Sequence, residues 1–201
     1  RMSLYTRPEE IRRERIEAVL GTVLAGDRYV LKPLHFTVRE NLERGVSEVA
    51  CSYLCGEEEV EVTSTGAGFV DALFSGLLKI YAGIFKSLSN ICFTSFSVRA
   101  GLDSVSAPSG SDAYATVLLE TRPSEKGAPI SAFRTEAKSI NVAAATVVFE
   151  AIQFYINCEL AFRRLQHLIS EAKSRSRGDI VSSYISKLVE IVNVSACDRC
   201  E

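Results

Sequence analysis

One run of secondary structure is written twice in this chain, and a duplication of that kind narrows the available folds more than any single motif. In the first copy Leu34, Phe36 and Val38 alternate with His35, Thr37 and Arg39, the period-two pattern of a strand beginning near Tyr29. A second strand runs through Val49, Cys51 and Tyr53, turns at Gly56 and returns through Val60 and Val62. The period then changes. Val70, Leu73, Phe74, Leu77, Leu78 and Tyr81 recur at helical spacing and form one wide apolar stripe. The second copy opens with a strand over Ile91 to Ala100, whose Phe93-Thr-Ser-Phe96-Ser-Val98-Arg99 is close in character to Phe36-Thr-Val38-Arg39. A polar loop with Pro108 and Gly110 follows, then alternation at Ala113, Ala115, Val117 and Leu119, a turn over Pro123 to Gly127, and a third strand from Ile130 to Ala137. A long helix closes the copy. Its stripe of Ala144, Val148, Ala151, Tyr155, Cys158, Phe162, Leu165 and Ile169 steps by four and three, the spacing of a seam between packed helices.

Helices flank the repeats. Thr6 and Glu9 have the spacing of a capping box, Ile16, Val19, Leu20, Val23 and Leu24 follow at helical intervals, and Gly26 supplies a stop. Ser170 to Gly178 is charged and serine-rich, which predicts a loop, and Asp179 can cap a final helix carrying Val181, Tyr184, Leu188 and Ile191. The expected fold is therefore α+β: two repeated β-β-β-α units packed together, with an additional N-terminal helix and C-terminal helices. The boundaries fall at 1–28 for the first helix, 29–170 for the paired units (29–86 and 91–170), and 171–201 for the helical extension. Either unit alone would expose an apolar sheet face, so the two should pack on each other or on a second subunit.

With 201 residues, 47% of them apolar, the chain can bury a core, and a formal net charge of -2 gives no general attraction to nucleic acid or to an anionic membrane. No apolar run reaches spanning length, no signal-peptide segment is evident, and the expected compartment is cytoplasmic. Cys51, Cys55, Cys92 and Cys158 read as small buried hydrophobes. Cys197 and Cys200 have the gap of a metal or redox pair but lack a second pair or a nearby histidine, so no metal and no cofactor are expected.

The first strand-to-helix junction, Ser64-Thr-Gly66-Ala67-Gly68-Phe-Val70-Asp71-Ala72-Leu, is the chain's most suggestive corner. Two glycines one residue apart allow positive φ and close approach, and the helix start behind them offers unpaired N–H groups to a carboxylate or phosphate. The alternative is a tight turn with no ligand. Asp71 either complements the helix dipole or receives a ligand ammonium; the second role would suit a free amino acid. Asp71 also stands where a dinucleotide fingerprint would place its third glycine, and the topology is not β-α-β. His35 and His167 have neither metal-ligand nor triad spacing, no nucleophile elbow or phosphate-loop lysine occurs, and Glu57 to Glu59 read as a solvated hairpin tip. No catalytic residues are expected.

Gly66-Ala-Gly-Phe-Val-Asp-Ala72-Leu resembles the Gly-x-Gly-Pro-Val-Asp/Asn-Ala signature of the C-terminal regulatory, or dimerisation, domain of alpha-isopropylmalate and citramalate synthases. The resemblance continues through Phe96-Ser-Val-Arg99, through Gly110-Ser-Asp112-Ala113, and through Ser139-Ile140-Asn141-Val-Ala-Ala144, covering roughly residues 29 to 160. Phe69 replaces the family's usual proline, and Thr135-Glu-Ala-Lys138 lacks its glycines and acidic residue. The family's catalytic barrel, with its metal-binding His-x-His, has no counterpart here. What the resemblance implies is a non-catalytic homodimer that binds a branched-chain amino acid, leucine or isoleucine, for feedback control of leucine or related biosynthesis. It would act on a catalytic domain in cis or in trans; the parent enzyme would be an acyl-CoA-condensing acyltransferase such as 2-isopropylmalate synthase. The effector's carboxylate is expected against Gly66, Ala67, Gly68 and the Val70 helix start, with Asp71 near its ammonium and Ala72 in the same turn. Asp112, Ala113, Ser139, Ile140 and Asn141 would supply the matching parts of the second unit. The alternative is a purely structural dimerisation module that has lost the pocket.

Overall fold

A strand with alternating side chains can bury only one of its faces, and both sets of strands in the chain meet this constraint in the same way. A computed structural model describes residues 7–100, 114–125 and 127–195. Pro108, Gly110, Asp112, Ala113, Cys197 and Cys200 lie outside them. Helix α1 (Pro8–Leu24) leads into β1 (Leu31–Asn41), β2 (Val46–Cys55), β3 (Glu58–Gly66) and α2 (Phe69–Tyr81). The order is then repeated by β4 (Ile91–Ala100), β5 (Ala115–Pro123), β6 (Ser131–Ala137) and α3 (Ile140–Ser174), with α4 (Gly178–Ser195) last. Each trio of strands forms its own antiparallel sheet in the order of the sequence. The fold is α+β, two β-β-β-α units with one helix before them and one after.

The inward rows supply the core. Val49, Cys51, Tyr53 and Val62 are buried in the first unit, and Val117, Leu119 and Phe133 in the second. Phe74 of α2 meets Phe93 of β4 with ring centres 4.1 Å apart, and Phe149 of α3 meets Tyr53 of β2 at 5.1 Å. Each helix therefore touches the other unit's sheet, and a single cluster of buried side chains runs through both.

The duplication extends to an irregularity. The pairing of β1 with β2 shifts between Pro33 and His35, and that of β4 with β5 shifts between Phe93 and Ser95. An extra residue at each place breaks the alternation. Leu34, expected on the same face as Phe36 and Val38, is instead the inserted residue of β1 and is 44% exposed. Beyond the shift Phe36 and Val38 share the face of the inward row, matched in register in the second unit by Phe96 and Val98, which the core leaves exposed.

Helix α3 is buried on more than the expected stripe. Val147, Phe149, Ile152, Phe154 and Ile156 are enclosed along with Val148, Tyr155 and Leu165, as a helix packed between other elements requires. Contrary to the expectation that no apolar run reaches spanning length, an 18-residue window of α3 has a mean hydropathy of 1.3; 67% of it is buried against the rest of the chain. Three polar side chains on α3 serve the backbone of neighbouring segments. Asn157 accepts from the Tyr29 N–H (2.8 Å) and donates to the Tyr29 carbonyl (2.9 Å), Gln153 accepts from the Leu31 N–H, and Glu159 accepts from the Ser87 N–H. These bonds satisfy main-chain groups that burial would otherwise leave without water.

The helix ends depart from expectation in three places. At α1 Thr6 lies outside the described residues, and the cap that is seen is one-sided and one residue later: the Arg7 N–H donates to Glu10 Oε2 at 2.9 Å. The left-handed residue that ends this helix is Ala25 (φ 49°), not Gly26. The segment from Ser170 was expected to be a loop, yet α3 continues to Ser174, because Ala172 stays buried and Glu171 pairs with Arg175 one turn on.

Candidate functional site

The glycine corner is formed where β3 gives way to α2. Gly68 is the residue before the helix, with φ −166° and ψ 170°, an extended conformation open to any residue. Among the described residues the positive-φ glycines are Gly45, Gly56 and Gly127, all in turns. Neither Gly66 nor Gly68 uses the positive φ that glycine would allow; Gly66 is needed because of what stands next to it. A Cβ at Gly66 would lie 2.5 Å from the Ala72 nitrogen, 2.6 Å from Asp71 Oδ2 and 2.8 Å from the Ala72 Cα. Backbone cannot yield as a flexible side chain can, so the end of β3 and the first turn of α2 approach this closely only without a side chain.

Asp71 turns back on the corner, and its Oδ2 accepts from the Ala67 N–H at 3.0 Å. This closes the strand-to-helix turn and puts a carboxylate at the positive end of the helix dipole. The amides of Phe69, Val70 and Asp71 are the donors an α-helix cannot satisfy from within. Ala67 and Asp71 are exposed, Gly66, Gly68 and Val70 are half-buried, and Ala72 is fully buried. Phe69 stacks on Phe36 of β1, ring centres 5.3 Å apart, and so ties the helix start to the edge strand.

The second corner is capped from the opposite direction. Ser139 precedes α3 and its hydroxyl accepts from the Val142 N–H at 3.4 Å. Asn141 is exposed, as are Ile140 (48%) and Val142 (46%). Ala137 holds the place of Gly66, as its pairing with Ala115 parallels that of Gly66 with Ser47. No hydrogen bond, ion pair or ring contact among the described residues joins the two corners, and Asp112 and Ala113 lie outside those residues.

Away from the corners, the outward face of each sheet holds an open concavity at an equivalent place. On the first it measures about 720 Å³ and is lined by Thr37, Arg39, Glu48, Ala50, Thr63 and Lys79. On the second it measures about 350 Å³, with Ser97, Arg99, Thr116, Leu118 and Arg134 at matching strand positions and Arg7 and Glu10 of α1 added. The arginines were not singled out as chemistry from the sequence; the shared Arg39 and Arg99 of the repeat were the available signal.

The other titratable groups have structural surroundings. His35 bonds Ser52 Oγ at 2.9 Å on the first sheet. Cys51, Cys55, Cys92 and Cys158 are not in disulfides: Cys51 and Cys158 are buried, whereas Cys55 and Cys92 are half-buried. Cys55 donates to the Tyr29 hydroxyl at 3.0 Å. Burial raises the Cys51 thiol to about 11 and the Tyr29 phenol to about 12, and both remain protonated at neutral pH. Among the described residues no group of three or more His, Cys, Asp or Glu is placed to hold a metal ion.

The fold and corner together define a duplicated β-β-β-α protein with one close-packed strand-to-helix junction. No protein-family model matches the chain, and no curated protein matches it.

Proposed function

We propose that the chain is a non-catalytic regulatory and dimerisation domain of the isopropylmalate and citramalate synthase type, binding leucine or isoleucine at the Gly66–Asp71 corner. The observation that carries this reading is the corner itself. It is a junction too tight for a side chain at Gly66, beside the first-turn amides of α2 and with the carboxylate of Asp71 facing solvent. A zwitterion fits such a pair of charges, its carboxylate on the amides and its ammonium on Asp71. Exposed Phe96, Val98, Ile140 and Val142 on the second unit favour a homodimer. Feedback would require the effector to bind one state of a catalytic domain's assembly better than another, in cis or in trans.

A structural dimerisation module is the second reading, favoured by the Ala67 N–H being already engaged by Asp71. Asp71→Asn separates the two. It keeps an acceptor for Ala67 and removes the charge, so the sensor reading expects an intact dimer by sedimentation and loss of leucine or isoleucine binding by calorimetry. A variant that binds either amino acid as the parent does removes Asp71 from the site.

A further inference from the structure

Two equivalent concavities with different linings allow one to be weighed against the other. Both lie on the outward face of a three-stranded sheet, beyond the register shift of its first strand, where added twist hollows the surface. In the first sheet Arg39 has a carboxylate beside it, Glu48, at 3.8 Å, and Thr63 occupies the third strand. In the second, Thr116 stands where Glu48 would be, Arg134 where Thr63 would be and Glu136 where Thr65 would be, so the carboxylate has moved from the middle strand to the third, where Thr116 and Arg134 engage it, and a guanidinium has been added. Arg7, the residue before α1, is added at the rim, and the space is half as large.

Three guanidinium groups therefore line about 350 Å³, with Glu10 as the single carboxylate of the lining. Glu10 is turned to the backbone, accepting from the Arg7 N–H. Two of the arginines are held by partners: Arg7 by Glu120 at 2.6 Å and Arg134 by Glu136 at 3.1 Å. Thr116 also donates to Glu136. A guanidinium carries five N–H donors, so one bond to a carboxylate orients the fork without exhausting it. Arg99 has no carboxylate within ion-pair distance among the described residues. Among the described residues it is the one guanidinium of this lining without a carboxylate partner.

We infer that the second concavity binds a small oxyanion, a phosphate or a carboxylate group, through Arg99 with Arg134 and Arg7 as flanking donors and the Ser97 hydroxyl within the same space. Guanidinium forks match oxyanions in two-pronged geometry, and such charge-assisted bonds are stronger than neutral ones. The first concavity offers a weaker match: Glu48 stands beside Arg39, the third strand brings no guanidinium, and its other cation is the single ammonium of Lys79 at the edge. This site is distinct from the glycine corner and is independent of any amino-acid effector.

The test is a titration of the full chain with inorganic phosphate and, separately, with malonate, at constant ionic strength. Binding is followed by the amide and arginine Nε–H signals in nitrogen-correlated NMR. The expected result is saturable shifts at Arg99, Arg134 and Thr116 with one of the two anions, the responsive one distinguishing a phosphate from a carboxylate ligand. Arg99→Gln should weaken that binding about tenfold or more, while Arg39→Gln leaves it unchanged. Shifts that never saturate, or equal losses from Arg99→Gln and Arg39→Gln, overturn the proposal. Both arginines are exposed strand residues, and the unaltered amide spectrum of each variant checks that it is folded.

Discussion

The two units share a frame down to a register shift in their first strands, but only the second is covered by α1. Counted from Gly68 and Ser139, Lys79 of α2 and Glu150 of α3 hold the same helical position. Lys79 is exposed at the edge of the open concavity. Glu150 is drawn into the α1 side of the molecule, where it meets Arg13, Glu17 and Thr135. The strand-to-helix corners differ in the opposite sense: the first is close-packed around Gly66 and Phe69, and the second leaves Ile140 and Val142 in solvent. A duplicated frame thus fixes backbone geometry, while an appended helix and a few side chains decide which face of each copy is open.

Substitution at the corners sharpens this comparison most. Gly66→Ala should cost about 3 kcal/mol, since the new methyl meets backbone on α2, whereas Gly68→Ala should cost about 0.5–1 kcal/mol because nothing lies within 4 Å of its Cβ position. Denaturant midpoints of the two variants check this directly; equal losses would dissolve the distinction between close approach and simple turn flexibility.

A smaller effect is expected one residue further on. Phe69→Ala removes a half-buried ring from its stack on Phe36 and should cost about 2 kcal/mol, while the equivalent Ile140→Ala, exposed and outside any ring contact, should cost no more than about 0.5 kcal/mol. Thermal melts of the pair provide the comparison. If Ile140→Ala proved as costly as Phe69→Ala, the second corner would be covered in solution, and a concentration-dependent melt would identify a second copy as the cover.

The smallest effect concerns α1. Burial holds the Glu150 carboxyl above its usual range, with Arg13 and Thr135 acting in the other direction. Folding then favours the protonated form, so this group's contribution is best below its unfolded pKa and declines as pH rises through the folded one. Glu150→Gln should remove that decline: the variant gains on the parent at neutral pH and converges with it in acid, as read from melting temperature against pH.

Much of the frame was legible because period-two alternation and helical stripes are local signals. Every residue of the expected α3 stripe is buried, from Ala144 to Ile169. The register shifts were not, since Leu34 is an ordinary strand residue and only its partner strand reveals the extra place. The end of α3 was hidden by composition: Ser170, Lys173 and Ser174 read as loop, yet the pairing of Glu171 with Arg175 and burial of Ala172 carry the helix on. Gly66 was marked as special, but which of its properties mattered was not legible, because a steric approach five to six residues along the chain has the same sequence signature as a positive φ. The arginine-lined concavity depends on Arg7, Arg99 and Arg134 from three distant segments, and no local pattern announces such a meeting. Asn157 and Gln153 did carry a signal, amide side chains inside an apolar helix, which marks a buried polar obligation.

The central claim is that the Gly66–Asp71 corner is a zwitterion site and not only a tight turn. Isothermal titration of the purified chain with leucine, isoleucine and valine tests it most directly. The account predicts saturable heat with leucine or isoleucine that disappears in Asp71→Asn; no heat from any of the three amino acids would contradict it and leave the corner as a turn.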